Sequence, residues 1–446
     1  MADNAAIEKS RAAESVARLR SMAIGTQVEV RRADGQVVRG TLVPAHDFSD
    51  PGIVQLKLDS GYNIGVRLGP ADSVRTEPPS SGPGEPRPAG AASSGTQKRP
   101  PTGWVALLTT GGTIASRVDY RTGGVRPAKG EEEILAFYPD LARSGPVRVV
   151  PVFDVLSEDI APADWHTLAD RVATSFREGA QGVVIAHGTD TLGFTAAALS
   201  FLLENLPGPV VLVGAQRSPD RPSSDGPSNL AAAVRVARHP ELAEVVVVMH
   251  EGLSDDRFAV HRGTRVRKMH SSRRDAFQSR NGPTLATLAE DTLAFHMPFR
   301  GRSSKGVRVS GPIDARAALL WFYPGLEPKR AEAMVRDLQG VVLAGTGLGH
   351  VSSAHLPWIR AAVDRGTVVA MTTQCLEGGV DPLVYATGRE LLRGGVVYLG
   401  DLLPETAYVK LLWALGSSTD PARVKERMLE DRAGEFEPRH EPNEAR

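Results

Sequence analysis

The chain of 446 residues holds a single cysteine, Cys375, so no disulfide can close within it and a cytoplasmic location is expected. It has no charge excess: 52 Lys and Arg offset 52 Asp and Glu, which excludes a global field drawing it onto nucleic acid. No apolar run approaches membrane-spanning length, and residues 1–23 lack the apolar stretch of a secretion signal. There is no Walker A loop, no Gly-x-Ser-x-Gly elbow and no pair of Cys or His at zinc spacing. Cys375, in Thr373-Gln374-Cys375-Leu376-Glu377, lacks the Gly-x-Cys-x-Gly elbow of a cysteine amidotransferase. The chain itself is therefore expected to hold no metal and no cofactor. What remains, at 41% hydrophobic and 23% charged residues, has the composition of a globular protein with two or three domains.

Residues 1–23 read as a tail or a short helix. Over 24–78, apolar residues such as Val28, Val30, Val54, Leu56 and Val66 alternate with polar ones between turn signals such as Asp34-Gly35 and Ser60-Gly61. This predicts a small all-β barrel of about five strands, a spacer or interaction module. Residues 79–102 are rich in Pro, Gly and Ser and read as a flexible linker. From 103 to 300 buried-strand runs alternate with amphipathic helices, for example 163–179, 192–206 and 229–237, the last capped by Asp225 or Ser228. A smaller α/β unit occupies 312–416, and a charged tail 417–446. The fold class is α/β, with a parallel sheet in the main domain.

Two strand ends carry the chemistry. The apolar run Trp104 to Leu108 meets Thr109-Thr110-Gly111-Gly112-Thr113, and the run Gln181 to Ala186 meets His187-Gly188-Thr189-Asp190-Thr191. Each delivers glycine and hydroxyl groups where ligands bind in parallel sheets, at the C-terminal ends of strands. Amide cleavage needs a nucleophile, a proton acceptor and donors for an oxyanion. Alone, the first of these, continued through Ile114-Ala115-Ser116, reads equally well as an ordinary strand-to-helix turn.

Together these motifs resemble the asparaginase/glutaminase family of amidohydrolases. The resemblance implies a two-domain asparaginase-like fold with Thr113 as nucleophile, activated by Lys268 through Thr189 and Asp190. Lys268 lies in Arg265-Val266-Arg267-Lys268-Met269-His270, which resembles the family's lysine-bearing segment. Crowding by Arg262, Arg265, Arg267, Arg273 and Arg274 is expected to disfavour its ammonium form, as a base requires; a solvated basic loop is the alternative. Tyr120 corresponds to a tyrosine on a mobile flap, unless it is a plain loop residue. Substrate is held by Ser157, Glu158 and Asp190, with Gly112 and Gly188 allowing close backbone approach. Glu158 replaces a glutamine common in bacterial asparaginases, and His350 replaces a loop asparagine that completes a neighbouring subunit's site.

The barrel points to one branch of that family. Ala45-His46-Asp47-Phe48-Ser49-Asp50, Lys57 to Gly65, Ala115 to Val125 and Arg265 to Phe277 resemble the D subunits of archaeal-type glutamyl-tRNA(Gln) amidotransferases. The resemblance implies a glutaminase half-enzyme in a D2E2 heterotetramer. Its E subunit uses ATP and Mg2+ to activate Glu-tRNA(Gln), which binds mainly through that partner. Two alternatives stay open: a free-standing L-asparaginase/glutaminase with an accessory barrel, and a binding scaffold.

Overall fold

The structure is a computed structural model that describes residues 15–19, 21–22, 26–43, 50, 52–58, 63–69, 71–77, 103–111, 116–118, 125–127, 141, 145–217, 224–290 and 292–437. Its chain divides into two compact units, one of residues 1–99 with 116–128 and 217–224, the other of the remainder. The expected linker, 79–102, lies outside the described residues.

In the first unit the strands Asn63–Arg67, Ile53–Lys57, Val37–Leu42, Gln27–Arg31 and Ser73–Glu77 form one antiparallel sheet in that order. Alternation in sequence becomes alternation in burial: Val28 and Val30 point inward while Glu29 and Arg31 do not. The inward face packs on Leu42, Val54, Leu56 and Val66, with Val16 and Leu19 from a helical turn at 15–19. Of residues 1–23, the helical turn at 15–19 thus contributes to this core. Two further short strands, Ser116–Val118 and Val125–Pro127, pair antiparallel.

In the second unit the apolar runs are continuous, and so is their burial. Val105–Thr109, Gly182–Ala186, Val210–Val213 and Val245–His250 are buried at every position, as strands covered on both faces must be. They lie in an eight-stranded sheet ordered Thr292–Phe295, Ala286–Ala289, Arg257–Arg262, Val245–His250, Val210–Val213, Gly182–Ala186, Val105–Thr109, Val147–Pro151. The last five strands of that order are parallel and the first three antiparallel. The chain passes from Val105–Thr109 to one neighbour, Val147–Pro151, then crosses to the other, Gly182–Ala186. That reversal is a topological switch point, where open α/β sheets bind their ligands.

The helices of this unit begin close to where periodicity places them. Pro162–Arg177 buries Trp165, Leu168, Val172 and Phe176, and Leu192–Leu202 follows the second motif. The latter ends earlier than expected because Leu203–Glu204 turns into a strand pairing with Arg308–Val309. Gly226–Ala237 starts after Asp225, but the Asp225 side chain does not cap it. Its carboxylate accepts from the Gln216 backbone N–H and from Asn229 Nδ2 instead.

A second, all-parallel sheet runs Ala317–Trp321, Gly340–Gly345, Val368–Thr373, Val397–Tyr398. The helix Pro404–Ser417 joins the two sheets in one core: Val342, Val368 and Leu411 share a cluster with Ala106, Val183 and Phe201. Within it Phe201 and Trp413 stack with ring centroids 6.0 Å apart.

The charged segment expected to be a tail is largely structured. Pro421–Leu429 is a helix that buries Val424 and Met428, and Ala433 and Glu435 are buried beyond it. Asp420 caps this helix by accepting the Ala422 N–H at 3.0 Å. Charged residues cover its outer face, which gave the stretch its polar character in sequence.

Candidate active site

The first motif strand is locked to the second at its end. Thr110 donates both its backbone N–H and its hydroxyl to the Ala186 carbonyl, each at 3.1 Å. Gly111 follows with φ +90°, and a Cβ there would stand 2.5 Å from the Val155 carbonyl oxygen. Only glycine fits that conformation and that approach. The loop that carries Ser157 is thereby seated beside the switch point. Gly112, Thr113 and Tyr120 lie outside the described residues.

The second motif is packed against the same loop. Thr191 donates its hydroxyl to the Ser157 carbonyl at 2.6 Å. A Cβ on Gly188 would stand 2.7 Å from Ser157 Cβ, so a side chain at 188 would displace this contact. Ser157 is itself buried, and its hydroxyl faces the Glu158 carboxylate at the long distance of 3.4 Å. Glu158 is exposed in the short helical turn Ser157–Asp159.

Lys268 reaches the motif from a hairpin in which Val266–Lys268 pairs with Phe277–Ser279. Its Nζ donates to Thr189 Oγ1 and to Asp190 Oδ1, both at 2.8 Å. The Lys268 side chain is 15% exposed whereas that of Asp190 is 68% exposed. One end of the group is shielded and the other faces solvent, as a site that admits a small molecule requires. Chemically, an amine lies between a hydroxyl and a carboxylate, an arrangement that can pass a proton between the hydroxyl and Nζ.

The expected arginine crowding is absent, because each arginine has its own acid. Arg262 pairs with Glu244, Arg265 with Asp401, Arg267 with Glu405, Arg273 with Asp275 and Arg274 with Asp255. What the pairs do is hold its hairpin in place. Arg265 donates to the Glu435 carbonyl at 2.9 Å, and Thr264 to the Ala433 carbonyl at 3.2 Å.

His350 sits in the second sheet's loop, edge-on to Tyr385 with centroids 5.1 Å apart. No hydrogen bond of the described residues joins it to the Lys268 group. Among those residues no group of three His, Cys, Asp or Glu could hold a metal ion, and no helix is long and apolar enough to cross a membrane.

One buried polar residue of the second motif has partners that a reading of sequence does not supply. His187, which opens the second motif, is wholly buried. Its Nδ1 lies 2.6 Å from the Gly188 carbonyl oxygen, and its Nε2 lies 2.9 Å from Thr195 Oγ1. Thr195 in turn accepts the Trp165 indole N–H at 3.1 Å. Burial pushes the imidazole down to about 4, against a smaller opposing effect of the Gly188 carbonyl. Its position within the motif was the available signal; Thr195, its partner from the helix Leu192–Leu202, and Trp165 behind it from Pro162–Arg177 could not be read.

This lysine, threonine and aspartate at the switch point of a mixed α/β sheet, with a second, all-parallel α/β sheet behind it in sequence, define the asparaginase/glutaminase class. Three family descriptions match in chain order: the GatD N-terminal domain over 22–76, asparaginase N-terminal over 104–300, and the glutaminase/asparaginase C-terminal domain over 316–428. The fold is similar to the thermostable L-asparaginase from Thermococcus kodakarensis, at 34% identity and a TM-score of 0.69, covering 75% of this chain and all of that one. It is also similar to L-asparaginase I from Vibrio cholerae, at 30% identity and a TM-score of 0.66, over 76% of this chain and all of that one.

Those enzymes leave the first unit unaccounted for, and longer relatives include it. The D subunit of the Pyrococcus furiosus glutamyl-tRNA(Gln) amidotransferase is 43% identical over 96% of this chain and 98% of its own. That of Metallosphaera sedula is 45% identical over 90% of each. The chain belongs to this family of amidotransferase D subunits, whose name makes each a component of a larger complex.

Proposed function

We propose that the chain is the glutaminase half of a glutamyl-tRNA(Gln) amidotransferase. The observation that carries this reading is the placement of Lys268 Nζ at 2.8 Å from both Thr189 Oγ1 and Asp190 Oδ1, beside a strand ending in Thr109-Thr110-Gly111. Glutamine binds with its amino-acid end toward Ser157, Glu158 and Asp190, and the glycines Gly112 and Gly188 let its amide approach the backbone. The Thr113 hydroxyl attacks the amide carbon as its proton passes toward Lys268. Ammonia leaves with that proton, and an ester to Thr113 remains. Water then cleaves the ester, releasing glutamate and restoring the hydroxyl. Tyr120, on the flap, closes over the substrate and excludes water during the first step.

The ammonia is used by a partner, the E subunit, which spends ATP with Mg2+ on the glutamyl group of Glu-tRNA(Gln) and forms Gln-tRNA(Gln). The assembly is a cytoplasmic D2E2 heterotetramer, and this chain needs no cofactor of its own. Ammonia made without an acceptor is lost, so the lone chain turns over slowly. The test is ammonia release from glutamine by the chain alone, and then with the partner and Glu-tRNA(Gln). A rise of at least about tenfold is expected, a coupling of about 1.4 kcal/mol. Equal rates in both conditions, with asparagine consumed faster than glutamine, would instead leave a free-standing asparaginase.

A further inference from the structure

We infer that His187 is a positioning residue: held as the neutral Nδ1–H tautomer, it clamps the Gly188 carbonyl and so aims Thr189 and Asp190 at Lys268. The inference rests on the amidohydrolase reading of that group and adds a residue that touches none of the reacting atoms.

The tautomer follows from the chain of donors. An indole N–H can only donate, so Trp165 gives its proton to Thr195 Oγ1 at 3.1 Å. The Thr195 hydroxyl then has its own proton to place, and His187 Nε2 stands 2.9 Å away. At the other side of the ring the Gly188 carbonyl can only accept, and at 2.6 Å it requires a proton on Nδ1. Donation therefore runs in one direction, from Trp165 through Thr195 and His187 to Gly188. A second proton on Nε2 would leave the Thr195 hydroxyl without its acceptor inside a wholly buried cluster.

The clamp is needed because the residue it holds is a glycine. Gly188 has no Cβ, and a Cβ there would stand 2.7 Å from Ser157 Cβ, so the position must stay bare. A bare position leaves the Gly188–Thr189 peptide with more than one accessible orientation. The bond from Nδ1 selects one. Fixing the carbonyl fixes the Thr189 N–H, which points the opposite way across the same planar peptide. Thr189 is then held from three sides: by this peptide, by Gly214, where a Cβ would stand 2.6 Å from Thr189 Cγ2, and by Lys268 at Oγ1.

The first measurement is independent of activity. Nitrogen-15 spectra of the full chain labelled at histidine distinguish the two neutral tautomers. His187 should give the Nδ1–H form from pH 6 to 9; an Nε2–H form would overturn the inference even in an active enzyme. The second measurement is a set of variants in the full chain. His187→Asn keeps a donor near the place of Nδ1, His187→Gln moves it to the place of Nε2, and His187→Phe has none. For the Gln and Phe variants kcat should fall roughly a hundredfold, as displacement of a catalytic group by about 1 Å does, with KM little changed. The Asn variant should recover most of the loss. Equal rates in all three folded variants would overturn the clamp. Absence of amide hydrolysis in the wild-type chain, alone and with its partner, would refute the proposed function, while the tautomer measurement would still decide the role of His187.

Discussion

Lys410 and Glu435 form an ion pair 2.6 Å long in which neither side chain is exposed to water. Glu435 also accepts the backbone N–H groups of Arg432 and Ala433, while Lys410 lies 4.6 Å from the centre of the Phe436 ring. The pair fixes the 430–437 segment against the helix that unites the two sheets of the larger unit. Removing one partner leaves the other charged and buried. Lys410→Met should therefore cost about 3–5 kcal/mol, and Lys410→Met with Glu435→Leu should cost less than that single change. Urea unfolding of the full chain measures both; a double variant weaker than Lys410→Met alone would contradict the account.

Lys268 has a different dependence on its chemistry. Lys268→Met should lower glutaminase activity by roughly 10²–10⁴-fold, the usual worth of general acid–base help. Lys268→Arg should fail as well, since a guanidinium does not release its proton near neutral pH. Ammonia release by the assembled complex reads both, and an active arginine variant would reduce Lys268 to an electrostatic role.

The nucleophile is tested by Thr113→Ala, which should abolish amide hydrolysis with an unchanged melting curve, because the covalent step has lost its hydroxyl. Wild-type turnover by this variant in the complex would rule out Thr113.

His187 makes stability depend on pH. Its folded value, about 4, lies below its ordinary value of 6.5. Above 6.5 neither state binds the proton, and its contribution is fully present. As pH falls from 6.5 toward 4 only the unfolded chain takes it up, so stability declines, by about 3 kcal/mol for this one group. Denaturant unfolding between pH 4 and 7 should show this slope in the wild type and lose that share of it in His187→Asn.

The small sheet at 27–77 should be dispensable for folding of the rest. Deletion of residues 1–100 is expected to leave a cooperative melt of the remaining chain, since among the described residues the larger unit's core contains none before Trp104. A chain that no longer melts cooperatively would make the small sheet part of that core.

Burial explains which parts could be read in advance. Strands such as Val210–Val213 and Val245–His250 are unbroken apolar runs, and they are buried on both faces. The antiparallel strands Ala286–Ala289 and Thr292–Phe295 lack that signature, the second being half exposed at alternate positions. Helix Pro421–Leu429 buries only Val424 and Met428 among charged neighbours, too narrow a stripe to separate it from a solvated tail. The site divides in the same way. The motif residues Thr189 and Asp190 were legible as types in a pattern. The acids that pair off the arginines were not, because Glu244, Asp255 and the pair Asp401 and Glu405 come from three separate segments.

The bonds from Thr264 to the Ala433 carbonyl and from Arg265 to the Glu435 carbonyl also set an order of events during synthesis. The hairpin bearing Lys268 leaves the ribosome long before residues 430–437 exist. Until they emerge, Arg265 lacks one of its acceptors and the root of the hairpin is untied. A growing chain thus carries the Lys268 hairpin before the segment that anchors it exists, and the anchor forms only when residues 433–435 fold back onto Thr264 and Arg265.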